Sequence, residues 1–221
     1  MKLTWLGHAC FALENGKKVL IDPYDPSVGY IWEKQKADIV LITHKHGDHS
    51  DASMIEGGYT LVEGLVDKTI HGIRIKGIQE FHDEAGGSLR GVIVMYIVQK
   101  DGITFLHAGD LGRVPPEDKI EEILREGPID VLMVPVGGTY TIDAEGARKV
   151  TELLKPKVVI PMHFKVPGVR YPIEGVSRFL HLFPQEKVKN IGDHTVEITR
   201  QNLPENTEVW VLIPKYAKTG I

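Results

Sequence analysis

The first part of the chain consists of short apolar stretches separated by turn residues. Residues 2–6 and 10–13 alternate or run apolar, and Asn15-Gly16 separates the second stretch from the apolar residues 18–21. Asn-Gly favours the positive φ angles of a two-residue hairpin turn. The chain is therefore predicted to begin with antiparallel strands, and Asp22-Pro23 ends the third strand.

The pattern changes after Asp110 from mainly β to alternating helices and strands. Before Asp110, a short helix capped by Ser50 or Asp51 is predicted at residues 51–56. Strands are predicted within residues 59–81, at 92–99 and at 103–106. Beyond Asp110, helices are predicted at 116–125, 143–154 and 173–182, buried strands at 129–134 and 158–161, and closing strands at 188–191, 195–199 and 208–213. No linker or repeat divides the halves, so residues 1–221 are predicted to form one α/β domain.

Composition limits the classes of function. A chain of 221 residues, 42% of them hydrophobic, can bury one substantial core, and its net charge of −4 shows no general bias towards nucleic acids or anionic membranes. The charge is uneven, because residues 148–200 hold ten Lys and Arg against five Asp and Glu. This basic segment is either a solvated face or a means of attracting an anionic substrate.

The single cysteine, Cys10, excludes an internal disulfide, and its apolar neighbours indicate a small buried residue rather than a nucleophile. Residues 1–6 lack the pattern of a signal peptide, and no apolar stretch reaches the roughly 20 residues of a membrane span. We therefore expect a cytoplasmic protein that has no membrane contact.

Residues 43–51, THKHGDHSD, carry the strongest chemical signal. Three histidines and an aspartate with the spacing HxHxDH follow the apolar run 38–42, which is typical of a buried strand. Packing does not explain such a cluster, whereas imidazole and carboxylate together suit zinc and its first-row neighbours. Ligands in open α/β folds also bind at strand ends. The motif therefore predicts a metal site formed by His44, His46, Asp48 and His49.

Four ligands in one turn cannot complete two coordination spheres, so other strand ends should supply the remaining ligands. Three residues qualify because each follows a predicted strand: His82, Asp110 and His163. Gly109 would let the backbone turn closely beside Asp110.

These motifs resemble those of the metallo-β-lactamase superfamily, and more closely its small metal-dependent hydrolases related to sugar-lactone hydrolases. LIDP, THKHGDH, FHDE, HAGD and PMHF occur in that family's order over nearly the whole chain. The HxHxDH signature is specific, and the other motifs gain force from their order. The resemblance implies a four-layer αββα sandwich, in which two mixed β-sheets are flanked by helices and the metals lie at one edge.

The resemblance also implies a binuclear centre. One ion would be held by His44, His46 and His82 and the second by Asp48, His49 and His163, with Asp110 as the bridge. Two divalent ions about 3.5–4 Å apart can lower the pKa of a shared water to about 7 and present a bridging hydroxide, which Asp48 would orient. Zinc is the expected metal, with manganese, nickel and iron as alternatives.

Three assignments stay open. His82 is preferred to His107 as the third histidine of the first ion, since His107 can instead support a ligand from behind. Asp22 either anchors the HxHxDH loop or forms an ordinary Asp-Pro turn. His8, in a turn between the first two strands, is either a catalytic proton donor or substrate contact, or a surface residue.

Loops near the predicted ligands supply three candidates for substrate binding. Arg90 lies in the glycine-rich loop after His82, Tyr140 precedes a predicted helix, and Lys165 follows His163. Turn formation and helix capping explain the residues around Arg90 and Tyr140 nearly as well.

The predicted function is that of a binuclear metal-dependent hydrolase, which uses a metal-bridging hydroxide on a small ester, lactone or phosphodiester. The chain is too short for the large added domain of relatives that process nucleic acid, and it is not strongly basic. A small-molecule substrate is therefore favoured over RNA or DNA, and whether that substrate is anionic is left open. The alternatives are a di-iron redox or gas-binding protein of the same fold, whose known relatives generally have Glu at the position of His46, and a nuclease-type phosphodiesterase. A homo-oligomer is left open.

Overall fold

The computed structural model describes residues 1–31 and 33–217, and these form two large β-sheets with flanking helices. The strands before Asp110 are β1 (Lys2–Gly7), β2 (Cys10–Asn15), β3 (Lys17–Ile21), β4 (Gln35–Lys36), β5 (Ile39–Ile42), β6 (Ile55–Glu56), β7 (Thr60–Glu63), β8 (Asp67–Ile70), β9 (Ile73–Phe81), β10 (Val92–Lys100) and β11 (Ile103–His107). The later strands are β12 (Val131–Pro135), β13 (Val158–Met162), β14 (Val188–Asn190), β15 (Thr195–Glu197) and β16 (Glu208–Val211). The α-helices are α1 (Gly47–Ser50), α2 (Glu117–Leu124), α3 (Ala144–Leu154) and α4 (Ser177–His181), and 3₁₀ turns lie at Pro26–Val28 and Gln185–Lys187.

Both large sheets are mixed. The six-stranded sheet has the order β15-β1-β2-β3-β5-β7, antiparallel as far as β3 and parallel from β3 to β7. The eight-stranded sheet has the order β14-β16-β13-β12-β11-β10-β9-β8, in which β8 to β11 are antiparallel and the remaining strands are parallel. Since β9, β11, β12 and β13 run in the same direction, their C-terminal ends meet at one edge.

The alternation of side chains along the first strands builds two separate hydrophobic layers. Along β5, Ile39 and Leu41 enter the main core, while Val40 and Ile42 enter a smaller one. The main core also takes its residues from the eight-stranded sheet, so the two sheets pack face to face. This is why β5 is apolar without interruption: it is buried on both faces.

The outer layers differ on the two sheets. Apolar residues of α2, α3 and α4, such as Ile123, Val150 and Phe179, belong to the main core with the eight-stranded sheet. The outer face of the six-stranded sheet is covered by the 3₁₀ turn at Pro26–Val28 and by loop residues that include Val169 and Ile173. No helix within residues 1–31 and 33–217 is long and apolar enough to cross a bilayer.

Both predicted hairpins are present, but the two-residue turn is confirmed only at Asp101-Gly102, because Asn15 belongs to the strand and does not have a positive φ. Asn15 pairs with Lys17 across Gly16, and Lys100 pairs with Ile103 across Asp101-Gly102, both of which have positive φ.

One predicted helix is absent and another is shorter than predicted. Residues 51–56 form no helix, because the Asp51 carboxylate accepts the N–H of Ser53 and Ile55 pairs with Gln35; the helical turn lies earlier, at Gly47–Ser50. The predicted helix at 173–182 is reduced to Ser177–His181. Before it, the backbone of Glu174 is hydrogen-bonded to Gly137 and Lys165, which holds this segment in an extended form.

Candidate metal centre

The predicted ligands converge at one edge of the sandwich. The HxHxDH motif follows β5, His82 follows β9, Asp110 lies three residues beyond β11, and His163 follows β13. The short helix α1 turns Asp48 and His49 back towards the sheets, and the hydroxyl of Ser50 donates to the carbonyl of His46 at 2.9 Å. Residues far apart in the sequence are thus brought together because parallel strands end at a common edge.

The side chains of the described residues form three groups of potential metal ligands. One of them, Asp22 with His44 and His49, overlaps the other two, and the Asp22 oxygens already accept hydrogen bonds from Thr43 and His49. The remaining two groups share no residue. In one, His44, His46 and His82 present ligand atoms within 4.8 Å of one another. In the other, the same limit holds for His8, Asp48, His49 and His163. Apart from His8, these are the two ligand sets that the resemblance implies.

Asp110 lies between the two groups and is buried. Its Oδ1 is 3.1 Å from Nε2 of His49, and its Oδ2 is 3.4 Å from Nε2 of both His82 and His163. Burial favours the neutral acid, but the imidazoles of His163 and His49 hold the pKa of Asp110 well below its usual range. The side chain is therefore a carboxylate with two histidines of each group beside it, the farthest being His44, whose Nε2 is 3.9 Å from Oδ2.

Asp22 orients two of the histidines. Its Oδ2 accepts Nδ1–H of His49 at 2.9 Å and the hydroxyl of Thr43 at 2.7 Å, while its Oδ1 accepts the Thr43 N–H at 2.8 Å. Because the Thr43 hydroxyl proton is given to Asp22, its oxygen accepts from Nδ1 of His44, 2.9 Å away. In neutral rings held this way, Nε2 keeps its lone pair, the form in which imidazole binds metals. Burial lowers the pKa of His44 to about 3, so its ring is neutral. Burial also lowers the pKa of His49, but the carboxylates of Asp110 and Asp22 raise it well above its usual value, so a metal would replace a proton on that ring.

The residues present fit a metal centre. Among the described residues, six of the seven buried side-chain atoms that lack a hydrogen-bond partner belong to this cluster: Nδ1 of His8, His82 and His163, Nε2 of His44 and His49, and Oδ1 of Asp110. Leaving buried polar atoms unpartnered is costly, and native proteins contain few of them. Three of the six, Nε2 of His44, Nε2 of His49 and Oδ1 of Asp110, lie at the centre itself, and bound cations would account for these three.

Glycine allows two ligand-bearing segments to touch. A Cβ on Gly112 would lie 2.1 Å from the carbonyl carbon of His82, and Gly112 donates its N–H to the carbonyl of Phe81 at 2.9 Å. The chain after Asp110 therefore packs directly on the backbone that carries His82, and no residue with a side chain fits there.

His8 is buried and lies behind Asp48. Its Nε2 is 3.1 Å from Oδ2 of Asp48, and its ring packs on that of His163 with centroids 4.0 Å apart. Burial, followed by the neighbouring His163, lowers the pKa of His8 to about 3, so the neutral ring donates Nε2–H to Asp48. His8 is therefore neither on the surface nor among the residues that line the central cavity defined below.

His107 and His82 have different surroundings. His107 donates Nε2–H to the carbonyl of Ala9 at 2.8 Å, and its Nδ1 accepts the Gly109 N–H at 3.1 Å, so both ring nitrogens are used. His82 instead faces Asp110 and shares the first ligand group with His44 and His46.

A cavity of about 300 Å³, here called the central cavity, opens onto the centre. Besides predicted ligands it is lined by Arg90, Tyr140 and Tyr171, and the two tyrosine rings meet edge to face with centroids 5.9 Å apart. Lys165 does not line it, because its ammonium group donates to the carbonyl of Tyr171 at 2.7 Å. Of the predicted substrate-binding residues, the structure thus brings Arg90 and Tyr140 to the cavity but not Lys165.

Sequence reasoning missed Tyr171 and Asp83. Tyr171 lies in a loop with no motif and reaches the cavity only through the fold. The carboxylate of Asp83 accepts four backbone N–H groups, from Ala85, Gly87, Leu89 and Arg90, and so closes residues 83–90 into a compact loop. An aspartate followed by a glycine-rich stretch was the available signal for such a loop.

Comparison with known proteins decides the family. Residues 2–163 match the family model described as the β-lactamase superfamily domain. The chain belongs to the metallo-β-lactamase superfamily. It is 35% identical to a UPF0173 metal-dependent hydrolase of Thermococcus kodakarensis over 191 residues, which cover 74% of this chain and 84% of that protein.

Solved structures agree with this membership. A protein from Thermotoga maritima, assigned to the zinc-dependent hydrolases of the metallo-β-lactamase superfamily, is 37% identical with a TM-score of 0.78, over 96% of this chain and 97% of that one. The metallo hydrolase Igni18 of Ignicoccus hospitalis is 26% identical with a TM-score of 0.58, over 77% of this chain and 85% of that one. The predicted α/β sandwich of two mixed sheets and the membership in a family of metal-dependent hydrolases are confirmed. The helical layer lies on the eight-stranded sheet, whereas a 3₁₀ turn and loops cover the six-stranded sheet. The relation to sugar-lactone hydrolases stays a prediction.

Proposed function

We propose that this member of the superfamily is a binuclear hydrolase that acts on a small ester, lactone or phosphodiester. The observation that carries the proposal is the position of Asp110 between two groups of histidines, with Oδ1 3.1 Å from His49 and Oδ2 3.4 Å from His82 and His163. A carboxylate has two oxygens and can bind one ion with each. His44, His46 and His82 would hold the first ion and Asp48, His49 and His163 the second.

The ions, when bound, supply a hydroxide nucleophile near neutral pH and polarise the oxygen of the bond under attack. We assign zinc to the centre first, because histidine nitrogen and carboxylate oxygen are its usual ligands. Manganese, nickel and iron remain the alternatives.

The chain's own residues would position the reacting groups. Asp48 lines the cavity, and one of its oxygens is held by Nε2 of His8 at 3.1 Å. This hydrogen bond restricts rotation of the Asp48 carboxylate, which can therefore orient a water molecule in the cavity. His8 acts through Asp48 in this account and does not itself reach the substrate.

The size of the cavity supports a small-molecule substrate. About 300 Å³ lies at the lower end of the usual range for small-ligand pockets, and the rings of Tyr140 and Tyr171 form apolar walls beside the polar centre. We propose a cytoplasmic enzyme for a small metabolite and do not propose nucleic acid as the substrate.

A hydrolysis screen tests the proposal. The zinc-loaded protein is offered lactones, carboxylic esters, phosphodiesters and phosphorylated sugars, with Asp110→Asn as the inactive variant and Asp118→Asn, at an exposed position in the first turn of α2, as the matched control. We expect turnover of at least one class, retained in Asp118→Asn and lost in Asp110→Asn. Turnover of no class, or full activity in Asp110→Asn, would reject it, and a redox-active iron pair in the purified protein would favour the di-iron alternative.

A further inference from the structure

Arg90 lies at the wall between two cavities. It lines the central cavity together with Tyr140 and Tyr171, and it also lines a neighbouring cavity of about 490 Å³, here called the side cavity. His82, Arg90 and Tyr140 are common to both. A molecule whose reactive bond is at the metal centre and whose remainder extends into the side cavity would pass Arg90.

No carboxylate of the described residues forms an ion pair with Arg90. Its Nη2 donates to the carbonyl of Thr139 at 3.3 Å, and its guanidinium carbon lies 5.6 Å from the centre of the Tyr140 ring. Five other arginines are paired with acids: Arg74, Arg113, Arg148, Arg178 and Arg200. Most of the donors of Arg90 therefore remain available for a ligand.

Arg90 is also the one cation that lines either cavity among residues 1–31 and 33–217. The basic segment 148–200 contributes no Lys or Arg to them. Its cations are partly used elsewhere, as in the pairing of Arg178 with Glu145 and Glu174. Attraction of an anion to the cavities would therefore depend on the bound metals and on Arg90.

The backbone of Arg90 is held in place. Oδ2 of Asp83 accepts the Arg90 N–H at 2.7 Å and the Leu89 N–H at 3.1 Å, while Oδ1 accepts from Ala85 and Gly87. Gly87 has a φ of +82°, and a Cβ there would lie 2.9 Å from the carbonyl oxygen of Gly91. A recognition residue on a fixed loop loses less entropy on binding than one on a mobile loop.

We infer that Arg90 determines specificity by binding an anionic group of the substrate. This inference rests on the proposed hydrolase function and narrows it: the substrate carries a carboxylate or phosphate in addition to the bond that is cleaved. The planar guanidinium matches the two oxygens of either group. The carboxylate of Glu84 lines the side cavity, so the anion is placed at the shared wall beside Tyr140 and not deeper in the side cavity.

Paired esters test the inference in the zinc-loaded protein. Phenyl acetate, 4-acetoxybenzoic acid and 4-acetoxyphenyl phosphate share an aryl acetate bond and differ in charge. For each charged ester, its kcat/KM is divided by kcat/KM for phenyl acetate. Arg90→Gln should lower this ratio by about 10- to 100-fold for at least one of the two charged esters, mainly through KM. Arg90→Lys should retain part of the ratio, and Arg125→Gln, an exposed arginine that lines neither cavity, should leave it unchanged.

Binding measurements separate this inference from the hydrolase proposal. Isothermal titration calorimetry measures the binding of 4-hydroxybenzoate, phenyl phosphate and phenol and requires no turnover. Any binding of these molecules to the metals occurs in wild type and in Arg90→Gln alike, so it does not contribute to the difference between the two proteins. We expect Arg90→Gln to weaken binding of at least one anion by about 10-fold or more relative to phenol; the anion affected more identifies the carboxylate or phosphate class. If no ester is cleaved while this difference persists, the hydrolase proposal fails and Arg90 remains an anion-binding residue. Equal effects on anions and phenol, or no effect, would overturn the inference.

Discussion

The carboxylate of Asp22 is 2.9 Å from Nδ1 of His49, and Nε2 of the same ring is 3.1 Å from Asp110. The ring is thus held between a fixed acceptor and the candidate bridge. Asp22 reaches His44 as well, through the hydroxyl of Thr43. One residue outside the ligand set therefore determines which nitrogen two ligands present to the centre.

Asp22→Asn is expected to weaken metal binding without removing a ligand. Asn tolerates the φ of +49° at this position, but it gives the two imidazoles and Thr43 a neutral acceptor in place of a carboxylate. We expect metal affinity to fall by about 10- to 100-fold, measured by competition with a chelator. Asp118→Asn, at an exposed position in α2, is the control, and equal affinities of the two variants would contradict the role of Asp22.

Gly112→Ala is expected to disturb the centre through the backbone. A Cβ at Gly112 would lie 2.1 Å from the carbonyl carbon of His82, whereas a Cβ at Gly58 meets no atom within 4 Å. Neither residue has a positive φ, so the two substitutions differ in contact and not in backbone strain. We expect Gly112→Ala to lower the free energy of unfolding by about 1–3 kcal/mol or more and to reduce bound metal, with Gly58→Ala near wild type. Equal denaturation midpoints would refute the close packing.

His82→Ala and His107→Ala should have opposite effects on metal content and stability. His82 faces Asp110, while both ring nitrogens of the buried His107 are hydrogen-bonded to the backbone. We expect His82→Ala to lose one of the two bound ions and to remain folded. His107→Ala should retain metal but lose about 1–3 kcal/mol of unfolding free energy. Elemental analysis and urea denaturation measure the two quantities, and equal metal loss would count against His82 as a ligand.

Cys10 is expected to be inert in the folded protein. Its side chain is buried in the smaller core, and burial raises the pKa of the thiol well above its usual value. A thiol-specific disulfide reagent at pH 8 should therefore react with Cys10 only when denaturant unfolds the chain. Rapid labelling in native buffer would contradict the buried position.

The sequence predicted those features that depend on local chemistry. The turn residues Asn15-Gly16 predict the first hairpin, and the uninterrupted apolar run predicts the buried β5. The predicted ends of β9, β11 and β13 indicate where the later candidate ligands lie. The helix expected at 51–56 was wrong because a side chain of the segment, Asp51, competes for its backbone N–H groups.

What the sequence did not predict depends on contacts between distant segments. Tyr171 enters the central cavity because its loop packs on the six-stranded sheet, and the requirement for glycine at position 112 arises from its contact with His82. The sequence leaves open whether Asp22 anchors the motif or forms an ordinary Asp-Pro turn. The hydrogen bonds to Thr43 and His49 show that it anchors the motif.

The stoichiometry of bound metal tests the central claim most directly. Elemental analysis of the purified, zinc-equilibrated chain should give two ions per chain. His46→Ala and His163→Ala, each altering a different ligand group, should each retain one ion. A single ion in the wild-type chain, lost equally in both variants, would contradict a binuclear centre.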